Sequence, residues 1–191
     1  MRTIRYSVAM LALLMSSPLA AAEQDTKPIR IAVLNDQSGI YAEVGGLGSV
    51  VAARLAAEEF GGEIDGRKIE VVGVDHQNKP DIAAAAARKG ISVDGFNLIA
   101  DGASSAAALA INEVTRANET IYIVSGGAST DFTGKSCGLT TFHFTYDTYA
   151  LANGTANAVV KQGGDTWFFI TADYVFGHSL QKEATKFIEK A

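Results

Sequence analysis

Two adjacent serines follow a short apolar segment in the middle of the chain. Residues 98–100 form the kind of run that becomes a strand buried on both faces, and Asp101-Gly102 ends it. Ser104 and Ser105 then precede residues 106–114, a strong helix-forming segment. The free N–H groups and the dipole at a helix N-terminus attract anions. The pattern therefore predicts either a turn that binds a carboxylate or another small anion, or two serines that only cap the helix.

A second small polar loop follows the next predicted strand. Residues 125–130 read Ser-Gly-Gly-Ala-Ser-Thr and come directly after the apolar residues 121–124. The loop after the first predicted strand, residues 37–46, is longer and also contains Ser, Gly and Tyr. In open parallel α/β sheets, ligands bind beyond the carboxyl ends of the strands, where such loops meet. We therefore expect the serines of the two short loops to face a shared hollow.

The chain lacks the common motifs of nucleotide-binding and hydrolytic enzymes. Residues 46–51 superficially suggest a dinucleotide loop, but Val51 stands where the third glycine belongs, and the preceding strand ends too far upstream for the tight turn. There is no phosphate loop, no Gly-x-Ser-x-Gly elbow and no metal-ligand spacing among the histidines. A triad of Ser104, His76 and Asp101 has no support in the pattern. We predict no catalytic residue, no metal and no cofactor.

The first 22 residues have the composition of an export signal. Arg2 and Arg5 precede an apolar stretch at residues 8–15 that is too short to span a bilayer, and residues 18–22 end in a small-x-small pattern. We expect cleavage after Ala22 and a location outside the cytoplasm, which in a bacterium is the periplasm. A buried N-terminal helix is the alternative interpretation.

The charge balance excludes some classes of partner. The 191 residues carry a net charge of -5, and from residue 23 onward 14 basic residues stand against 21 acidic ones. This balance argues against nucleic acid and anionic membrane surfaces as partners. It does not exclude a small anionic ligand, because hydroxyls and backbone N–H groups bind anions without a counter-charge. The single cysteine, Cys137, is either a free thiol or paired with a residue outside this sequence.

Apolar strands alternate with helical segments along the chain. The order β-α-β-α-β-α-β-loop-β-α-β-α is typical of an α/β fold whose parallel sheet is covered by helices on both faces. A hairpin is expected at Asp65-Gly66, and a second helix begins near Pro80 and ends at Gly90. The first helix should pack through Val50, Val51, Leu55 and Phe60. Predicted strands are 29–34, 69–74, 98–100, 121–124, 140–144 and 167–170, and predicted helices are 47–60, 82–89, 105–118, 147–161 and 178–191.

Four stretches carry a resemblance to a known family. They read KPIRIAVLNDQSGIYAEVGGLGSVVAARLAAEEFGG, DGASSAAALAINEV, IVSGGASTDFTG and ITADYVFGHSL. In this order and at these spacings, they resemble the leucine/isoleucine/valine-binding (type I periplasmic) substrate-binding proteins of ABC importers. The resemblance covers nearly all of residues 28–191.

The resemblance implies two α/β lobes joined by a hinge, which close on a ligand between them. Members are not enzymes, and they deliver the ligand to an inner-membrane permease. The implied organisation is a signal peptide at 1–22, an N-terminal ligand-binding lobe at 23–145, and the start of an incomplete second lobe at 146–191. The implied ligand is a small carboxylate, either an amino acid or an aromatic or other organic acid. The alternatives are a ligand-sensing module of the same fold for a receptor, and an exported α/β enzyme.

The resemblance also implies ligand contacts. The serine turn is similar to the one that binds the ligand carboxylate in this family, and the second polar loop matches a segment that helps hold the carboxylate and amino groups. The first loop lies over the cleft, and an aromatic wall is matched by Phe176, or by Tyr174 if that loop sits differently. A part of the second lobe absent from this sequence would supply an acidic partner for a ligand amino group, and would hold a partner for Cys137. The implied contacts are Ser38, Tyr41, Ala103, Ser104, Ser105, Gly127, Ala128, Ser129, Tyr146, Tyr174 and Phe176.

Overall fold

The structure, a computed structural model, describes residues 26–190. Within this range the strands are β1 Ile29–Asn35, β2 Glu63–Ile64, β3 Arg67–Asp75, β4 Phe96–Ala100, β5 Ile121–Val124 and β6 Thr141–His143. The helices are α1 Gly46–Glu59, α2 Pro80–Lys89, α3 Ser105–Ala117, α4 Thr148–Lys161 and α5 Val175–Lys190. The predicted leader and its cleavage site after Ala22 lie outside the described residues.

The six strands form one sheet in the order β2-β3-β1-β4-β5-β6. Every pair is parallel except the β2–β3 hairpin, which is antiparallel. The hairpin turns at Asp65-Gly66, where both residues have positive φ (52° and 77°), as a tight turn of this type requires. Because the other strands are parallel, the loops after β1, β3, β4 and β5 emerge at the same edge, and the α/β architecture predicted from the sequence is confirmed.

The core lies between the sheet and the helices α2 and α3. Its side chains come from β1, β4 and β5 on one side and from the Ala-rich faces of the two helices on the other. Small residues such as Ala83 and Ala108 allow the helices to lie close to the strands, and both are fully buried. This layer fixes the position of β4 and α3, and therefore of the serine turn between them.

Helices α4 and α5 pack against each other after the sheet ends. Asp147 caps α4 by accepting a hydrogen bond from the Ala150 N–H at 2.8 Å. The aromatic rings of Tyr149 and Phe187 meet edge to face, 5.2 Å apart. We call α4 and α5, with the segment 162–174 that joins them, the helical pair.

The strand predicted at residues 167–170 is wrong. The structure has no regular element there, and Phe168 and Ile170 are 88 and 94% exposed. A strand needs a neighbour for its backbone hydrogen bonds, and among the described residues the helical pair offers none. Helix α5 also begins at Val175, three residues before the predicted start, so part of the expected loop is its first turn.

Two further details of the helices differ from expectation. Only Val50 of the expected apolar face of α1 is buried; Val51, Leu55 and Phe60 are more than half exposed, because α1 contacts the sheet through the Val50 side alone. The second α-helix ends at Lys89 with Gly90 as its C-cap, as predicted, but Gly90 keeps right-handed helical geometry and the segment after it is not a simple connection. A π-helical turn, Gly90–Asp94, continues the helix as far as Gly95, whose φ of 72° ends the helical geometry.

Cys137 is an exposed free thiol in the described structure, on the loop before β6. Of the helices between residues 26 and 190, none combines the length and the apolar character that crossing a membrane requires.

Candidate functional site

A cleft of about 370 Å³ opens at the carboxyl edge of the sheet, between the loops after β1, β4 and β5 and the start of the helical pair. Seven of the residues predicted to contact a ligand line it: Tyr41, Ala103, Ser105, Ala128, Tyr146, Tyr174 and Phe176. The other four, Ser38, Ser104, Gly127 and Ser129, lie at the same edge but are not on its wall. The topology therefore brings the predicted loops together, although only part of the serine set reaches the hollow.

Ser105 is the hydroxyl of the serine turn that reaches the cleft. It is the first residue of α3, and its Oγ accepts a hydrogen bond from the Ala128 N–H at 3.0 Å. The serine proton is therefore free to be donated to a group in the cleft. Ser104 is the N-cap residue, but its side chain makes no capping hydrogen bond. The interpretation that these serines only cap the helix is therefore wrong.

Asp101, directly before the serine turn, holds the neighbouring loops through its carboxylate. This residue adopts a positive φ of 80°, and its carboxylate accepts hydrogen bonds from the Asn35 amide at 2.8 Å and the Ser125 hydroxyl at 3.0 Å. The Asn35 amide also donates to the Gly46 carbonyl at 2.7 Å. Asp101 thus ties the loops after β1, β4 and β5 together, a role that sequence reasoning missed.

Gly126 is the point at which two of these loops touch. A Cβ at this position would lie 2.7 Å from the Ala103 Cα, which is closer than two such atoms approach. Glycine is therefore required for the contact that forms the floor of the cleft.

The loop after β1 folds over the carboxylate of Asp36. This carboxylate accepts hydrogen bonds from the N–H groups of Gly39 at 2.7 Å and Tyr41 at 3.0 Å. Tyr41 then reaches across the cleft and donates its hydroxyl proton to the Tyr174 hydroxyl, 2.6 Å away. Ser38 lies elsewhere and donates to the Asp75 carboxylate at 2.6 Å. The loop therefore places Tyr41, but not Ser38, in the cleft.

Part of the cleft wall is aromatic. Tyr174 and Phe176 lie with their ring centroids 6.0 Å apart at the start of α5, and Tyr146 is on the same wall, although 61% of it is exposed. Burial raises the pKa of Tyr174. The Tyr174 hydroxyl therefore stays protonated at physiological pH.

Gly127 and Ser129 lie behind the cleft wall. The Gly127 carbonyl oxygen is 2.6 Å from the His143 Nε2. Ser129 is fully buried, and its Oγ accepts a hydrogen bond from the Asp131 N–H at 3.2 Å at the start of the 3₁₀ turn Thr130–Phe132. In the described structure these two residues hold the shape of the loop that carries Ala128.

His76 is a buried imidazole beneath the first loop. Its Nδ1 accepts a hydrogen bond from the Asn78 N–H at 3.0 Å, so the proton of the neutral ring is on Nε2, which has no partner in the described structure. Burial lowers the pKa of His76, although the carboxylates of Asp36, Asp75 and Asp101 oppose the shift. The ring is therefore neutral at physiological pH.

Asp75, beside this histidine, is held as a carboxylate. Burial alone would raise its pKa, but hydrogen bonds from Ser38, Gln37 and Gln77 outweigh that effect and the pKa lies below its ordinary value.

Comparison with known proteins identifies the family of the chain. The model of a periplasmic binding protein family matches residues 28–191. The chain belongs to this family.

The chain is also similar to individual periplasmic binding proteins. It is 28% identical to Leu/Ile/Val-binding protein homolog 4 of Brucella abortus over 171 residues, which cover 84% of this chain and 41% of the relative. A periplasmic binding protein of Burkholderia mallei is 44% identical, with a TM-score of 0.82 over 85% of this chain and 44% of that one. A branched chain amino acid ABC transporter periplasmic ligand-binding protein of Burkholderia xenovorans LB400 is 29% identical, with a TM-score of 0.73 over 85% of this chain and 43% of that one. The chain thus spans less than half the length of the relatives it matches.

The cleft of this periplasmic binding protein also has walls that the sequence did not predict. Val44, Ser125, Gly126 and Thr145 line it. Ser125 and Gly126 belong to a polar loop that had been singled out, and their place at its start, directly after β5, was the available signal. No residue of the described wall carries a charged side chain. Likewise, no cluster of metal-ligating side chains occurs within residues 26–190.

Proposed function

We propose that this chain forms the ligand-binding cleft of the periplasmic solute-binding component of an ABC importer, and that its ligand is a small carboxylate. The free Ser105 proton carries the proposal. Its oxygen is occupied by the Ala128 N–H, so the hydroxyl is oriented and polarised as a donor toward the cleft. Thr145 adds a second neutral hydroxyl to the same wall, whereas the Ser125 proton is donated to the Asp101 carboxylate. Neutral donors in a cleft that excludes water stabilise an anion through charge-assisted hydrogen bonds.

The aromatic side chains of the cleft would bind the part of the ligand other than its carboxylate. Tyr41, Tyr174 and Phe176 line the same cleft as Ser105 and would pack against the body of an acid whose carboxylate is at the serine. No acidic side chain on the described wall is available to pair with an ammonium group. The ammonium group of an amino-acid ligand would need a partner from outside the described residues, so the proposal covers amino acids as well as aromatic and other organic acids.

Closure of two lobes would complete the site. We place the first lobe at residues 23–145 and the start of the second at 146–191, with the crossing at residues 144–147, because the sheet ends there and the helical pair begins. The hydrogen bond between Tyr41 and Tyr174 joins the two sides over the cleft. A hinge that brings them together would shield the carboxylate from water and present a closed form to the permease.

Identification of the bound acid is the direct test. We expect an organic acid to be released when the full-length protein is purified, denatured and examined by mass spectrometry. Isothermal titration calorimetry with that acid should then show that Ser105→Ala weakens binding by about 1–3 kcal/mol, the cost of losing a buried donor to a charged group.

The matched control is Ser92→Ala. The Ser92 hydroxyl donates to the Arg88 carbonyl at 2.8 Å, and Ser92 lies outside the cleft wall, so its removal should leave affinity unchanged. Equal affinity of wild type and Ser105→Ala would reject the role of Ser105. Failure of the full-length protein to retain or bind any small carboxylate would reject the proposed function.

A further inference from the structure

Four hydroxyl side chains meet behind the cleft wall, at the junction of the sheet and the helical pair. Ser129 and Thr130 come from the loop after β5, Thr148 is the first residue of α4, and Ser179 is in the second turn of α5. The Ser179 Oγ lies 2.7 Å from the Thr148 Oγ1, 3.4 Å from the Thr130 Oγ1 and 3.5 Å from the Ser129 Oγ. We call this group the hydroxyl cluster.

The hydroxyl cluster completes a continuous chain of hydrogen bonds across the molecule. The Ser105 Oγ accepts from the Ala128 N–H, and the Ala128 carbonyl accepts from the Thr148 N–H at 2.8 Å. The Thr148 Oγ1 then accepts from the Thr130 N–H at 3.2 Å and bonds Ser179. Ser105 is thereby connected, through the backbones of Ala128 and Thr148 and the hydroxyls of Thr148 and Ser179, to the helix that carries Phe176.

The hydroxyl cluster is shielded from solvent. Thr148 and Ser129 are fully buried, so water does not compete for their hydroxyls. On α5, Ser179 follows Phe176 by one helical turn, so a displacement of Ser179 moves the aromatic wall with it. The helix start is itself tightly packed, because a Cβ at Gly177 would collide with the Ala172 carbonyl oxygen at 2.0 Å.

We propose that Thr148 and Ser179 are positioning residues that set the distance between Ser105 and the aromatic wall, and thereby the length of the acid that the cleft accepts. The consequence for ligand choice rests on the proposed function, whereas the placement of α5 does not. Neither residue lines the cleft, so both act through Ala128 and Phe176.

The test uses variants that separate the hydroxyl from the shape of the side chain. Thr148→Val keeps the volume and removes the hydrogen bonds, Thr148→Ser keeps the hydroxyl, and Ser179→Ala removes the α5 partner. Thr185→Val is the matched control, because its hydroxyl donates only to the Gln181 carbonyl within α5, at 2.9 Å. Benzoate and 3-phenylpropionate, which differ in length, are the probes in calorimetry on the full-length protein.

We expect the affinity ratio of 3-phenylpropionate to benzoate to rise by roughly fivefold in Thr148→Val and Ser179→Ala, the equivalent of one lost buried hydrogen bond. Thr148→Ser and Thr185→Val should keep the wild-type ratio. A general loss of stability would lower the affinity for both acids alike and leave the affinity ratio unchanged. An unchanged ratio in Thr148→Val, or an equal change in Thr148→Ser, would overturn the proposal.

A measurement without ligand keeps the inference testable if the wild type binds neither acid. Trp167, the single tryptophan, lies in the groove between α4 and α5 beside Phe176. If the hydroxyl cluster positions α5, acrylamide should quench Trp167 fluorescence more strongly in Thr148→Val and Ser179→Ala than in Thr148→Ser and Thr185→Val. Equal quenching in all four variants would reject the positioning role, whatever the outcome for the proposed function.

Discussion

At the scale of single residues, His76 makes stability depend on pH. Its pKa in the folded chain lies below the ordinary value of about 6.5, chiefly because of burial. As the pH falls from about 7.5 to about 5, the unfolded chain therefore takes up this proton before the folded chain does. The stability that the neutral His76 gives the folded chain is therefore fully present above the pKa of the unfolded chain and is lost on acidification. We expect the melting temperature, followed by circular dichroism, to fall over this interval.

His76→Asn tests the assignment of this effect. The asparagine oxygen can replace Nδ1 as the acceptor for the Asn78 N–H, but the residue does not titrate. The variant should show a shallower fall in melting temperature than wild type. The same slope in both proteins would mean that another group causes the acid sensitivity.

Tyr41 provides a second prediction at this scale. Tyr41→Phe keeps the ring on the cleft wall but removes the donor to the Tyr174 hydroxyl. Without this bond across the cleft, we expect a bound acid to dissociate roughly fivefold faster, as measured by stopped-flow displacement. Tyr149→Phe is the matched control, because Tyr149 packs on Phe187 away from the cleft. Equal dissociation rates for Tyr41→Phe and wild type would show that the bond does not retain the ligand.

At the scale of elements, the sequence predicted well what local chemistry determines. The turn at Asp65-Gly66, Pro80 at the start of α2 and the serine turn before α3 lie where their residue types placed them. The side-chain directions in the polar loop after β5 were not predictable in this way. The Ser129 Oγ lies 3.5 Å from the Oγ of Ser179, which is 50 residues away along the chain, and no local pattern encodes such a contact.

A glycine in a loop and a glycine in a helix should respond oppositely to a methyl group. Gly126→Ala forces a Cβ to within 2.7 Å of the Ala103 Cα, so it should destabilise the fold by about 1–3 kcal/mol through overpacking. Gly154 is inside α4 with nothing within 4 Å of a Cβ, so Gly154→Ala should stabilise by about 0.5–1 kcal/mol. Urea unfolding measures both. A neutral Gly126→Ala would mean that the two loops can separate without cost.

At the scale of the whole molecule, the described chain consists of a well-packed sheet and a less enclosed helical pair. Fully buried side chains such as Ile99 and Tyr122 are found between the sheet and α2–α3, whereas Phe144, Phe168 and Ile170 are exposed. Hydrophobic patterning predicted which residues prefer burial, but it does not say what covers them. This explains why the strand at 167–170 and most of the α1 face were mispredicted, while the parallel sheet formed by the earlier strands was predicted.

The same contrast predicts unequal local stability. No backbone N–H of residues 165–172 donates a backbone hydrogen bond in the described structure, and nothing pairs with this segment as a strand. Its amides should therefore exchange with deuterium at close to the unfolded rate, whereas those of β1, β4 and β5 should exchange only through global unfolding. Hydrogen exchange with mass spectrometry measures both in one experiment. If residues 167–170 were instead protected as strongly as β5, these apolar residues would form a strand after all, and the pairing partner would have to come from a segment outside residues 26–190.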